Sequence, residues 1–209
     1  MSKPLLYAKS DTVTDDPDSL YDRAADLLRA GGVVIIPTDT VYGIAAHPAC
    51  AGAVARICTI KGRPSGKPVA LLAADLAAVL AYGAVLPPAA RRLATRFWPG
   101  ALTLVLTCDD GREEGFRVPD HVATCRLLAA CGGTLRVTSA NLSGAMPAVS
   151  AVEALRDVGL EADMVIDGGV CPGGVASSVV RVRPDGTLEI LREGAIDAET
   201  IQGEVIGNG

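Results

Sequence analysis

Aromatic residues are scarce, with one Trp, two Phe and four Tyr making up 3% of 209 residues. A core must therefore be built from Ala, Val, Leu and Ile, which suits a large α/β sheet. Scarce aromatics also argue against the stacking platforms of single-strand nucleic-acid binders. The six cysteines, Cys50, Cys58, Cys108, Cys125, Cys131 and Cys171, show no C-x-x-C spacing. Zinc and redox-motif readings have little to rest on, and reduced, buried thiols are expected. Two histidines, His47 and His121, cannot form a clustered metal site on their own. No apolar run reaches the roughly 20 residues of a membrane span, and Met1-Ser2-Lys3-Pro4 lacks the apolar region of a signal peptide. A soluble, cytoplasmic protein with no membrane partner is expected. Net positive charge is missing too. A formal charge of −5 argues against broad electrostatic binding of nucleic acid, though not against a local basic cavity.

What the chain does have is concentrated in residues 33–64. Val33-Val34-Ile35-Ile36 reads as a buried parallel strand. The polar turn Pro37-Thr38-Asp39-Thr40-Val41-Tyr42-Gly43 follows, at the strand end where open α/β sheets place ligands. A helix over 49–61 then delivers Lys61 and Arg63 in Lys61-Gly62-Arg63-Pro64. A hydroxyl-rich turn with a point charge and a planar fork suits a polyanion such as a nucleoside triphosphate.

Elsewhere, strands and helices alternate. Asp16-Pro17 reads as a helix start, with Gly31-Gly32 as its stop. Strands are expected over 69–72, 102–106, 115–118, 134–137 and 164–166. A hairpin is expected from 177–182 and 188–191 around Pro184-Asp185-Gly186. Asp75 caps a helix to Tyr82, Pro87-Pro88 opens one to Phe97, and 122–131 and 197–206 read as two more. Ser150-Ala151-Val152-Glu153 matches a capping box. The expectation is one α/β domain over 1–209, with a core at 19–196 built as a twisted mixed sheet carrying helices.

A second polar turn, Thr138-Ser139-Ala140-Asn141-Leu142-Ser143-Gly144, offers hydroxyls and an amide to a phosphate or a base edge. Each turn also has a plain structural role open to it: helix capping at 38–42, a cationic helix end at 61–63, a solvated turn at 138–144. A P-loop is rejected, because Gly62-Arg63-Pro64-Ser65-Gly66-Lys67-Pro68 has the wrong spacing and puts Pro68 where a hydroxyl is needed.

These pieces occur in order with Phe97-Trp98-Pro99-Gly100-Ala101-Leu102-Thr103, Arg117-Val118-Pro119-Asp120-His121 and Leu191-Arg192-Glu193-Gly194. Together they resemble the YrdC/TsaC family of L-threonylcarbamoyladenylate synthases, in the short form with the YrdC-like domain alone. The resemblance implies a YrdC/RibB-like fold with a concave ligand cavity. It implies that L-threonine, bicarbonate and ATP give threonylcarbamoyl-AMP and pyrophosphate, with Mg²⁺ bridging the phosphates. Other transferase proteins then pass the threonylcarbamoyl group to a tRNA adenosine beside the anticodon, and tRNA itself is a possible contact. Carried over by motif, Lys61 and Arg63 hold the triphosphate and serve catalysis. Ser139, Asn141 and Arg192 bind ATP. Thr38, Tyr42, Arg117 and Ser177 serve threonine. No protein metal ligand is assigned.

Three positions depart from the family pattern. Leu72 stands where many relatives carry histidine, Ala176-Ser177-Ser178 replaces Pro-Ser-Thr, and Glu193 puts a carboxylate beside Arg192. Two other functions stay open at this point. One is a non-catalytic double-stranded RNA or tRNA-binding module on the same fold. The other is a relative that forms carbamoyl-adenylate. The ATP reading requires Lys61 and Arg63 to lie beside Ser139 and Asn141.

Overall fold

The computed structural model describes residues 6–9, 20–64 and 68–206. The expected Asp16-Pro17 helix start lies outside them. In chain order the elements are β1 (Leu6–Lys9), α1 (Leu20–Arg29), β2 (Val33–Ile36), β3 (Gly43–Ala46), α2 (Ala51–Lys61), β4 (Leu71–Ala73), α3 (Leu76–Ala81) and α4 (Pro88–Phe97). They continue as β5 (Leu102–Thr107), β6 (Glu113–Arg117), α5 (Val122–Ala130), β7 (Thr134–Ser139), α6 (Ala151–Asp157), β8 (Met164–Asp167), β9 (Ser178–Val182), β10 (Leu188–Arg192) and α7 (Ala198–Ile206). The ten strands form one mixed sheet in the order β1-β8-β2-β3-β7-β4-β6-β5-β9-β10.

Local chemistry sets the helices. In α1, Tyr21, Ala24, Ala25 and Leu28 recur at helical spacing and are buried. Asp75 caps α3 by accepting from the Ala78 amide at 2.7 Å. Pro88 opens α4 at its first turn, where a missing N–H costs nothing. The Ser150/Glu153 capping box of α6 is complete. Gly62 ends α2 in the left-handed region at φ 58°, turning the chain sharply after Lys61.

The structure revises the reading of residues 33–46. β2 pairs in parallel with β8 but antiparallel with β3, in register from Val33↔Ala46 to Ile36↔Gly43. The Pro37–Tyr42 turn therefore joins two neighbouring strands and does not lead straight into a helix. Gly43-Ile44-Ala45-Ala46 has little intrinsic strand signal, and partners on both sides override that. Thr138 and Ser139 likewise belong to β7, not to the turn that follows it.

Three apolar clusters cover the sheet. On one face α1 and α5 pack on Val34, Ile36, Ala45 and Leu135. On the other, α2 and α6 pack on Val33, Ile35, Ile44 and Val165, and α3, α4 and α7 pack on Leu102, Leu104, Phe116 and Val180. Fully burying each leucine, isoleucine or valine contributes about 1.5–3 kcal/mol. Strand side chains alternate faces. Thus Leu102 and Leu104 point into the α4 core, and Thr103 and Val105 point the other way, where they line a hollow.

Candidate active site

The hollow encloses ≈ 380 Å³, within the range of small-molecule sites. Its floor is the alternate residues of five strands and their approaches: Ala70 and Leu72, Thr103 and Val105, Gly115 and Arg117, Val137 and Ser139, Val179 and Arg181. The middle is apolar and the two ends are polar. Leu72 adds to the apolar floor.

One end is built from the Pro37–Tyr42 turn. The Thr38 hydroxyl donates to Val41 O at 2.7 Å and accepts from the Thr40 and Val41 amides at 3.2 and 3.3 Å. That net fixes the turn while Thr38 and Thr40 still line the hollow. The Tyr42 hydroxyl donates to Gly169 O at 2.7 Å and accepts from the Gly168 amide at 3.1 Å. Burial pushes its pKa well above the ordinary value, so it remains a neutral donor. The glycine-rich loop also donates from Gly173 to Asp39 O at 3.1 Å and from Gly174 to Thr40 O at 2.9 Å. A Cβ on Gly173 would lie 2.7 Å from Asp39 O, so only glycine permits this approach.

Arg117, at the end of β6, is buried, and each of its three nitrogens donates once. It donates to Gly100 O at 2.9 Å, to the Thr40 hydroxyl at 2.8 Å and to the Asp39 carboxylate. Burial lowers its pKa and Asp39 opposes that. Ser177 shares a 2.8 Å hydrogen bond with Thr103, and Arg192 donates to Ser177 O at 2.7 and 3.1 Å. The Arg192 pKa is lowered by burial first, then by Arg117 and Arg63. The guanidiniums of Arg63, Arg117, Arg181 and Arg192 thus face one hollow, with the Asp39 carboxylate set against Arg117 and Glu113 against Arg181. Glu193 does not join them. Its carboxylate accepts from the Ala198 amide at 3.3 Å and caps α7.

Lys61 and Arg63 do lie beside Ser139 and Asn141, as the ATP reading requires. Arg63 and Ser139 line the hollow, but Lys61 and Asn141 sit behind its wall. Lys61 is 3% exposed and donates to Ser139 O at 2.5 Å and to Asn141 O. Asn141 Oδ1 is 3.5 Å away, while the Asn141 amide group donates to Leu142 O and Ala145 O. Burial, then the nearby Arg63 charge, lowers the Lys61 pKa to about 8. Two of the expected ligand residues thus hold each other and shape the β7 turn.

Sequence reading missed Asp39, Thr40 and Thr103, and also Glu113 and Arg181, which pair at 3.2 Å at the far end of the hollow. The signal was present as polar residues at the period-2 positions of β5, β6 and β9. Among the described residues no group of three or more His, Cys, Asp or Glu could hold a metal ion. No described helix is long and apolar enough to cross a membrane.

Known proteins share this sequence and fold. A profile of the Sua5/YciO/YrdC family, described as telomere recombination, matches residues 26–194. The threonylcarbamoyl-AMP synthase of Bacillus subtilis is 37% identical over 204 residues, covering 93% of this chain and 58% of that protein. The crystal structure of Pyrococcus abyssi Sua5 complexed with L-threonine superposes with a TM-score of 0.86 at 30% identity, over 98% of this chain and 61% of that one. The structure of Escherichia coli YciO superposes at 0.81 and 27% identity, over 95% and 99%. The chain therefore spans less than two thirds of the B. subtilis and P. abyssi relatives, and nearly all of YciO. With the profile match covering most of its length, the chain belongs to the Sua5/YciO/YrdC family.

Proposed function

We propose that this chain makes L-threonylcarbamoyl-AMP and pyrophosphate from L-threonine, bicarbonate and ATP, acting as a nucleotidyltransferase in the cytoplasm. The observation that carries the reading is the convergence of Arg63, Arg117 and Arg192 with Thr38, Ser139 and Ser177 on one hollow. Its likeness to a P. abyssi protein seen with L-threonine, and to a B. subtilis synthase, supports the same reading.

In this proposal the threonine amine takes up CO₂ from bicarbonate as a carbamate. A carbamate oxygen then attacks the α-phosphorus, and pyrophosphate leaves. The step needs positioning and neutralised phosphate charge more than a protein nucleophile. Arg63 and Arg192 take the phosphates and Ser139 a phosphate or ribose oxygen. Thr38, Tyr42 and Ser177 shape the threonine subsite. Arg117, with one face held by Asp39 and Thr40, presents its charge to the threonine carboxylate or the carbamate. Lys61 and Asn141 act by fixing the turn that carries Ser139. Glu113, which lines the hollow, and Asp39, which backs Arg117, are both ion-paired. Mg²⁺ therefore fits here as an ion carried on ATP phosphates, where it offsets their charge. The product passes to threonylcarbamoyl transferase proteins that modify tRNA, with direct tRNA contact as part of that hand-over.

Incubation with labelled threonine, bicarbonate, ATP and Mg²⁺ should yield a labile threonylcarbamoyl adenylate and stoichiometric pyrophosphate. Pyrophosphate release that does not depend on threonine refutes the proposal.

A further inference from the structure

A second concave site lies on the reverse of the sheet, between α4 and α7. It is a shallow, open groove of ≈ 680 Å³ lined by Leu86, Pro88, Arg91, Arg92, Arg96 and Glu204, with Thr95 between the arginines. Arg91 and Arg92 have no carboxylate partner among the described residues, and the Arg92 Nε is buried with no hydrogen-bond partner. Arg96 lies over the Phe97 ring at 5.3 Å and only 3.9 Å from Glu204, a long ion pair. A groove with three guanidiniums against one carboxylate is unusual on a chain whose formal charge is −5. Buried N–H groups left without partners are costly and rare, so the Arg92 Nε, on a half-buried side chain of the groove, points to a missing acceptor, while Arg91 and Arg96 stand exposed beside it.

The geometry points to a nucleoside diphosphate as the occupant. The guanidinium forks match phosphate oxygens two at a time. Leu86 and Pro88 supply an apolar wall for a flat base, and the volume suits one nucleotide. A long polyanion fits less well, because the acidic remainder of the chain repels it outside the groove. The site is separate from the hollow already described, and the proposal does not depend on the reaction assigned there. β5 lies between the two: Leu102 and Leu104 pack in the core beneath α4, and Thr103 and Val105 line the hollow.

The test is calorimetric titration of the full chain with ADP, and separately with inorganic pyrophosphate. The variant Arg63→Ala/Arg192→Ala removes binding at the hollow, so that the reverse site is read alone. One equivalent of ADP is expected to bind to it. Adding Arg91→Gln/Arg92→Gln should weaken that binding at least tenfold, with the melting transition checked for folding. Adding Arg156→Gln/Arg183→Gln, an equal charge loss at two exposed arginines elsewhere, should leave it unchanged. Pyrophosphate should compete but bind more weakly, since it lacks the base. The proposal is overturned if no ADP binds, if the α4 variants bind normally, or if both charge variants weaken binding equally. Pyrophosphate binding as tightly as ADP overturns the nucleotide assignment, as does displacement of ADP by a short RNA duplex at equal phosphate concentration.

Discussion

Replacing Lys61 by methionine tests the account of the site in one change. Methionine keeps most of the stem and removes the ammonium. Two opposing effects can be sized. The Lys61 pKa falls from the ordinary 10.5 to about 8, which at about 1.4 kcal/mol per pH unit is a penalty of about 3 kcal/mol for the buried charge. The variant escapes that penalty. Against it, Asn141 O loses the Lys61 donor, which costs about 1–3 kcal/mol. Ser139 O is spared, because the Asn141 backbone N–H still donates to it at 3.0 Å. At pH 7 the two effects nearly offset, and unfolding free energies should agree within about 2 kcal/mol. The sign with pH is also fixed. The folded pKa lies below the unfolded one, so between pH 8 and 10.5 the unfolded chain holds more protons and wild-type stability rises with pH. The variant lacks this rise, and the wild-type-minus-variant difference should climb by about 3 kcal/mol across the window. Urea unfolding at pH 7, 8, 9 and 10 measures it. Pyrophosphate release should meanwhile fall by about a hundredfold or more, the scale of losing a catalytic group or its geometry. A flat difference from pH 8 to 10, or turnover within tenfold of wild type, refutes the reasoning.

Asp39→Asn removes the counter-charge of the buried Arg117 and should cost about 3–5 kcal/mol in urea unfolding, with the threonine KM raised more than kcat lowered. In Gly194→Ala the new Cβ would meet Ala176 O at 2.3 Å, so the segment after β10 must shift. A loss of about 1–3 kcal/mol in thermal melts, with weaker nucleotide binding through Arg192, is expected. Ser150→Ala breaks the α6 capping box and should cost about 1 kcal/mol while turnover stays unchanged.

The helix caps were legible from local signals. Asp75, Pro88 and the Ser150/Glu153 pair each depend on neighbours within a few residues, and each stands as expected. The hairpin at 178–192 was legible for the same reason. β3 was not, because Gly43-Ile44-Ala45-Ala46 becomes a strand only through β2 and β7. The site divides in the same way. Motif order brought Arg63, Ser139 and Arg192 together correctly. The pairing of Asp39 with Arg117 spans 78 residues, and nothing in either motif announces it. The charge of Lys61 reads from the sequence as a ligand group, and the fold adds what the sequence does not show, that its ammonium also holds backbone carbonyls of the β7 turn.

The Pro37–Tyr42 turn leaves one strand and returns in the strand next door, with Ile36 set opposite Gly43. Both of its ends are thus clamped a single strand spacing apart, and its contour length is fixed at six residues. An added residue has nowhere to go except into the hollow, and a deleted one pulls Thr38 or Thr40 off the wall. Divergence in what this scaffold accepts must therefore come by exchange of side chains on the open floor, at positions such as Leu72, Val105 and Val179, with the turn kept at constant length.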